Sequence, residues 1–366
     1  MKIAFVLPNL QAGGGCRSQI VLANNLLDRG HEVFVIVPKG SVSKFPTQIN
    51  AKIVEVGLPL SNAYLGALVN YPLIGLSLGR YDAVIVSFSI VVWFTFLFAW
   101  LFGAKFFYFA QSYDPLLLDQ AKISSRFLLW LYKFMARLSY ELPLKLVVNS
   151  RWTGQMIAKN TFKQISCEVV NNSVDLSVFN CSQQCKRDEK RECKQVLVLG
   201  KIQKYKGLDD LIAALCVLNR SYKNFELLIM SPDKLDMKDS FPFEVRTIHP
   251  EDDDAIVEAY CGADVFVSPS WYEGFSNPPL EAMACGIPVV LTDSGGVREY
   301  AVHGYNCLMS APRQPEGLAE NIKLILQDRE LALRLAQNGL ETAKTFTIEK
   351  SVDKLERVLM QEVAEG

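Results

Sequence analysis

Apolar runs of strand length alternate with helix-length amphipathic stretches from one end of the chain to the other, and this alternation limits the possible folds more than any other feature. In the first half the runs are residues 3–7, 33–37, 53–56, 83–86, 106–109 and 146–149; in the second they are 196–199, 226–230, 265–268 and 289–292. Between them lie stretches such as 18–29 and 208–219, whose apolar residues recur at helical spacing. Strand–helix alternation of this kind predicts an α/β fold, with doubly wound parallel sheets. At 366 residues the chain exceeds the roughly 250–300 residues at which a single core stops growing, so two such domains are expected. Ligands of open parallel sheets bind outside the carboxyl ends of the strands, which directs attention to the loops after these runs.

Composition permits two sizeable cores, with 50% of residues apolar and 21% charged. The net charge of -1 hides an uneven spread: residues 1–175 carry 16 Lys/Arg against 9 Asp/Glu, and residues 176–366 carry 22 against 30. A basic first half suits an anionic partner such as a membrane or a phosphate-bearing acceptor; uneven charge without a role is the other reading, and no nucleic-acid partner is expected. The nine cysteines are scattered, and Met1-Lys2 runs straight into the first strand without a secretory leader, so thiols in a reducing cytoplasm are expected. Cys181, Cys185 and Cys193 lack both C-x2-C spacing and a nearby histidine, so neither a metal nor a cofactor is expected.

Two glutamates eight positions apart, Glu273 and Glu281, stand in W-Y-E-G-F-S-N-P-P-L-E-A-M-A-C-G-I-P-V-V, residues 271–290. Residues 269–279 read as a polar loop and 280–285 as a helix, stopped by Gly286 and Pro288. One carboxylate then lies in the loop and the other just inside a helix, with loose N–H groups between them that attract phosphate or sugar hydroxyls. A solvated glutamate and a dipole-favoured one account for the pair alone equally well. Gly13, Gly14 and Gly15 follow the first strand and let backbone approach a bulky anion; no glycine stands at the third-glycine register, which excludes the dinucleotide G-x-G-x-x-G. Lys206, just before Gly207, can reach a diphosphate as a point charge.

In this order the pieces resemble the donor-site signature of family 4 retaining glycosyltransferases, the group 1 type with the GT-B fold. The set comprises the glycine turn, V-V-N-S-R-W-T-G (147–154), V-V-N-N-S-V-D (169–175), L-G-K-I-Q-K-Y-K-G (199–207), the glutamate segment, D-S-G-G-V-R-E-Y (293–300) and H-G-Y-N-C-L (303–308). The resemblance covers nearly the whole chain. It implies two Rossmann-like domains facing a cleft: 1–178 on the acceptor side, 179–346 binding a nucleotide sugar, and 347–366 as a helix crossing back to the first domain. The polar stretch 180–194 is the expected joint.

Carried over residue by residue, the resemblance implies that Glu281 binds the ribose hydroxyls and that Glu273 lies near the donor sugar. Backbone at Gly274, Phe275, Ser276 and Asn277 would hold the sugar hydroxyls, and Lys201, Lys206 and the glycine turn would hold the diphosphate. Relatives usually carry arginine at Lys201, so bidentate phosphate clamping is lost there. Many also carry glycine at Ser276. Glu273, Lys206, Lys201 and Asp114 are the candidate catalytic residues, and Gln111, Tyr113 and Asp114 the acceptor-binding ones. Front-face attack, with the leaving phosphate taking the acceptor proton, is the implied mechanism; Gln111 stands where relatives often have histidine and cannot act as a base. Asp114-Pro115 also reads as a plain turn, Asp252-Asp253-Asp254 as a solvated loop, and His303 as part of a turn. Met230-Ser231-Pro232-Asp233 replaces a glycine-rich turn of relatives.

Residues 83–104 form a 22-residue stretch without charge, but Ser87-Phe88-Ser89 splits it into a strand and a helix over 91–102, too short to span a membrane. Its aromatic density, and the basic-aromatic run Arg126 to Arg137, suit either a tightly packed helix pair or shallow docking on an anionic cytoplasmic leaflet. The resulting expectation is a retaining transferase moving a sugar from a nucleotide diphosphate to a glycan or lipid-linked acceptor, for cell-surface polysaccharide. A nucleotide-sugar epimerase on the same fold, or a sugar-nucleotide-binding scaffold with a weakened site, are the alternatives.

Overall fold

The computed structural model describes residues 1–10, 14–41, 48–59, 63–118, 125–181, 193–235 and 241–364. The chain forms two compact units, Met1–Asn172 with Ile348–Gly366, and Ser173–Thr347. In the first unit, strands β1 (Lys2–Val6), β2 (Glu32–Pro38), β3 (Lys52–Val56), β4 (Ala83–Val86), β5 (Lys105–Ala110), β6 (Lys145–Val148) and β7 (Glu168–Val169) make one sheet. Their order is β3-β2-β1-β4-β5-β6-β7, all parallel. Helices α1 (Gly14–Asp28), α2 (Ala63–Leu76), α3 (Ser89–Leu101), α4 (Asp114–Leu118), α5 (Arg126–Ser139) and α6 (Arg151–Asn160) connect them. Period-two alternation sorts β1 between two layers. Ile3 and Phe5 pack with Ile20 and Ala23 of α1, while Ala4 and Val6 pack with Val91 and Val92 of α3.

The second unit repeats the plan. Strands β8 (Lys194–Leu199), β9 (Phe225–Met230), β10 (Glu244–Ile248), β11 (Val265–Ser268), β12 (Val289–Thr292) and β13 (Leu308–Ser310) pair in the order β10-β9-β8-β11-β12-β13, again all parallel. Helices α7 (Leu208–Leu218), α8 (Asp253–Gly262), α9 (Asn277–Ala284), α10 (Pro315–Gln327) and α11 (Arg329–Ala343) flank it. In each sheet the strand order reverses beside the first strand, between β1 and β4 and between β8 and β11. Crevices at the carboxyl ends of those pairs are the natural ligand sites. The acidic run 252–254 starts a helix rather than a solvated loop: Asp252 Oδ1 accepts from Ala255 N–H at 2.9 Å, and Asp253 and Asp254 sit at the positive end of α8.

The last helix, α12 (Ile348–Ala364), belongs to the first unit. Val352, Leu355, Val358 and Leu359, three or four residues apart, are buried in the layer that holds α1. Ion pairs fix its position: Arg29 reaches Asp353 and Glu356 at 2.6 Å each, and His31 Nε2 lies 2.7 Å from Glu356. The hydrogen bonds from His31 and Arg29 hold the Glu356 carboxyl below the usual carboxylate range.

Residues 83–104 divide into β4, α3 and a short connection, as their serines suggest, and among the described residues no helix is long and apolar enough to cross a membrane. Three edge strands escape sequence patterning: β7 has two residues, β13 has three, and β10 is the polar E-V-R-T-I. Helix α9 begins at Asn277, ahead of the expected 280, because Pro278 and Pro279 occupy its first turn, where a missing N–H costs nothing. Contrary to the expectation of thiols throughout, Cys181 and Cys261 form a disulfide across 80 residues of sequence. No local spacing announces it, since the fold alone brings them together. Cys185 and most of the expected joint, residues 182–192, lie outside the described residues.

Truncating the α12 contact by Leu355→Ala should destabilise the first unit by about 2–4 kcal/mol, measured as an earlier thermal transition, whereas Glu349→Ala on the same helix should leave it within about 0.5 kcal/mol.

Candidate active site

The second sheet brings the lysine and glutamate motifs together at its strand-order reversal. After β8 the chain forms a 3-10 turn, Lys204–Lys206, and then enters α7 through Gly207, which has a φ of +71°. A Cβ at Gly207 would lie 2.1 Å from the Pro269 carbonyl oxygen, so this turn and the loop after β11 can touch only through glycine. The two loops are joined by Trp271 N–H donating to the Tyr205 carbonyl at 2.7 Å and by stacking of Tyr205 on Tyr272, with ring centroids 4.8 Å apart.

Within that frame Lys206 Nζ lies 2.7 Å from Glu273 Oε1, which also accepts from Ser270 Oγ at 2.7 Å. Burial works against the Lys206 charge, but the Glu273 carboxylate outweighs it and raises the lysine pKa. Glu273 Oε2 has no hydrogen-bond partner among the described residues, leaving an acceptor oxygen for a ligand hydroxyl. The Glu273 backbone is pinned as well: its N–H donates to Ser294 O at 2.8 Å, and its carbonyl accepts from Gly296 N–H at 3.0 Å. Lys201 sits in the same loop; burial lowers its pKa and nearby Lys206 lowers it further, against the pull of Asp233. Asp233 also accepts from Ile202 N–H at 3.3 Å, so the sequence replacing the glycine-rich turn supports the Lys201 loop.

Phe275 is a core residue, 1% exposed between Tyr300 and Phe346, and anchors the backbone that precedes α9. Ser276 adopts a φ of +71°, which explains why glycine is the easier residue at this position. Its carbonyl accepts from Tyr300 O–H at 2.7 Å. Asn277 opens α9, whose first-turn N–H groups have no intrahelical acceptor. Glu281, one turn on, accepts from Tyr260 O–H at 3.0 Å.

A second cluster forms on the first unit, at the carboxyl ends of β1, β4 and β5. Gly14 and Gly15 make the first turn of α1; a Cβ at Gly14 would meet nothing within 4 Å, and one at Gly15 would lie 3.6 Å from Gln111 Cγ. Protein packing therefore does not demand glycine at either position, which leaves room for an approaching group. Gly13 lies outside the described residues. The Gln111 side-chain amide is buried with neither its nitrogen nor its oxygen bonded, while its backbone carbonyl accepts from Asn149 Nδ2 at 2.7 Å.

Asp114 and Tyr113 are placed differently from the expectation. Asp114 is buried, and its Oδ2 accepts from Ser89 N–H at 2.9 Å and from Tyr108 O–H at 3.0 Å. Burial raises its pKa while those bonds oppose the rise. The carboxylate anchors the start of α3 instead of facing an acceptor. Tyr113, 6% exposed, stacks on Tyr140 at 5.9 Å and is likewise part of the core. The turn signal of Asp114-Pro115 was the cue to this structural role.

Sequence reading missed four participants. Ser270 and Tyr260 position the two glutamates, and nothing in their local sequence announces it. Gln19 and Ser87 are buried with side-chain polar atoms that have no hydrogen-bond partner. Gln19 lies one turn beyond Gly15 on the same helix face, and its intrusion into an otherwise apolar pattern was the available signal.

Comparisons with known proteins agree with both units. Residues 12–178 match the family described as Glycosyltransferase Family 4, and residues 183–342 match Glycosyl transferases group 1. An uncharacterized glycosyltransferase of Methanocaldococcus jannaschii is 31% identical over 168 residues, 44% of this chain and 46% of that protein. The N,N'-diacetylbacillosaminyl-diphospho-undecaprenol alpha-1,3-N-acetylgalactosaminyltransferase of Campylobacter jejuni is 38% identical over 91 residues, 25% of this chain and 24% of its own. The chain thus aligns with less than half the length of these relatives. Among solved structures, Anabaena HepE in complex with UDP-glucose superimposes with a TM-score of 0.79 at 17% identity, covering 99% of this chain and 100% of its own, a likeness of fold.

A methyl group at Gly296 would lie 2.0 Å from the Gly274 oxygen and 2.6 Å from that of Glu273. Gly296→Ala should therefore displace the Glu273 loop and destabilise the second unit by at least about 2 kcal/mol, read as a lowered unfolding midpoint with altered Trp271 fluorescence.

Proposed function

The chain belongs to the group 1, family 4 glycosyltransferases, and from that membership we propose that it moves a sugar, with retention of anomeric configuration, from a nucleotide diphosphate donor to a lipid-linked glycan during cell-surface polysaccharide assembly. The Lys206–Glu273 pair at the strand-order reversal carries this reading. Lys206 and Lys201 neutralise the diphosphate as it departs, in a setting where burial strengthens the attraction between opposite charges. Glu281, oriented by Tyr260, receives the ribose hydroxyls. Glu273 offers its unused oxygen to the donor sugar and stabilises positive charge developing at the anomeric carbon. Backbone of Gly274 to Asn277 holds the sugar hydroxyls.

On the first unit, Gly14, Gly15 and the unbonded amide of Gln111 receive the acceptor. Neither Gln111 nor the engaged Asp114 is suited to take a proton, which favours the leaving phosphate oxygen as the base, with attack from the face it departs. The nucleotide-sugar complex of HepE and the polyprenyl diphosphate in the name of the Campylobacter relative support the donor and acceptor classes.

Contact with an anionic leaflet is part of this proposal, and the surface of α5 supports it. Phe127, Trp130 and Phe134 stack in succession with centroids 6.0 and 5.5 Å apart, and they are 69%, 57% and 37% exposed. The helix carries Arg126, Lys133 and Arg137 and no acidic residue, and Trp100 and Leu101 at the end of α3 are 63% and 60% exposed. Such a surface suits peripheral attachment on the cytoplasmic side, where a lipid-linked acceptor is presented.

Lys206→Ala and Glu273→Ala should each lower kcat/KM for nucleotide-sugar turnover by roughly 10²–10³-fold, as loss of one preorganised transition-state contact does. Turnover undiminished in both proteins would remove the assignment. In flotation with phosphatidylglycerol vesicles the wild-type chain should rise with the lipid. Phe127→Ser/Trp130→Ser protein should stay in the dense fraction, and equal behaviour of the two would exclude docking through α5.

A further inference from the structure

The proposed reaction leaves unused a group of three sulfurs in the second unit. Cys181 and Cys261 form the disulfide, Cys285 carries a thiol, and the three sulfur atoms lie within 4.8 Å of one another. They come from separate parts of the chain: Cys181 follows the segment packed against α8, Cys261 lies in the last turn of α8, and Cys285 closes α9. Cys261 and Cys285 are 2% and 4% exposed, whereas Cys181 is half-buried. Cys16 and Cys307 are buried too, with thiols pushed up to about 11 and about 12, yet neither belongs to such a group among the described residues.

We propose that Cys181, Cys261 and Cys285 form a thiol–disulfide exchange site in which the partner of Cys261 alternates between Cys181 and Cys285. Exchange proceeds when the thiolate of Cys285 attacks Cys261 Sγ. The Cys261–Cys285 bond forms as the Cys181–Cys261 bond breaks, and its electron pair leaves on Cys181 Sγ. Cys181 takes up the proton that Cys285 released, so no electrons are gained or lost and no oxidant is consumed. The product exposes a new thiol at the most accessible of the three positions, open to exchange with a small disulfide, which forms the mixed disulfide and releases a small thiol.

The position of the group gives the exchange a consequence. Tyr260, the residue before Cys261, donates its hydroxyl to Glu281, and Cys285 N–H donates to the Glu281 carbonyl at 3.0 Å. A bond from Cys261 to Cys285 ties the residue after Tyr260, which holds the Glu281 side chain, to Cys285 itself, whose N–H holds the Glu281 backbone. The existing bond ties α8 to the Cys181 segment instead. This consequence rests on the reading of Glu281 as a nucleotide ligand; the exchange itself does not. Disulfides on the cytoplasmic side of a membrane are usually transient or redox-sensing, and an exchanging one fits that setting where a fixed staple does not.

The test is disulfide mapping of the full chain, equilibrated in a glutathione buffer, quenched in acid, alkylated with N-ethylmaleimide and digested without reduction. Wild-type protein should yield both Cys181–Cys261 and Cys261–Cys285 linked peptides. Cys285→Ser should yield the first alone, and Cys181→Ser the second alone. Absence of the Cys261–Cys285 peptide from wild-type protein overturns the proposal, even where a variant fails to fold. Its absence from Cys181→Ser protein with native circular dichroism overturns it as well. The map is read without any turnover assay, so its failure is distinct from failure of the transferase reading.

Discussion

A lysine and a glutamate drawn together where the second sheet reverses its strand order form the interaction on which the site depends. Lys206 and Glu273 come from loops after β8 and β11, the two strands flanking that reversal, and their side chains are 25% and 13% exposed. Two charges so far from water persist only together, because removing either leaves the other poorly solvated. The backbone meets the same requirement. Gly207 and Gly296 each press against a carbonyl of the opposing loop, so the ion pair is held by geometry that no side-chain-bearing residue could adopt. Glu273 keeps an acceptor oxygen in reserve, since Ser270 and Lys206 both converge on its other oxygen.

The two units offer different chemistry at equivalent places. On the second, formal charges dominate: Lys201, Lys206, Glu273 and Glu281 surround the strand ends. On the first, the amides of Gln19 and Gln111 and the hydroxyl of Ser87 are buried without hydrogen-bond partners among the described residues. Each such group costs about 1–3 kcal/mol when left unpaired. Proteins tolerate that cost mainly where a ligand's polar groups complete the set.

Much of this was legible in the chain itself. Strands such as β1 and β4 are apolar on both faces because helices cover both sides, and that burial writes itself into the sequence as continuous runs. The turn at Lys206 and the loop from Glu273 to Glu281 were legible as strand-end connections because they need glycine and proline at fixed offsets. Asp114 and Tyr113 were misread because a polar residue after a strand looks the same whether it faces a ligand or folds back to cap a neighbouring helix. Short edge strands such as β7 and β13 leave too few residues for any period to register.

By itself, then, the sequence determined the parallel α/β plan, the family and the positions of the strand-end loops, because local propensity and burial period act over a few neighbouring residues. Tertiary structure alone decided which polar groups are consumed internally and which remain available. It paired Cys181 with Cys261, committed Asp114 to α3, left Gln111 unbonded and drew Ser270 to Glu273. Those outcomes depend on contacts between residues far apart in the chain, whose meeting is set by how elements pack and leaves no mark in the spacing of the residues concerned.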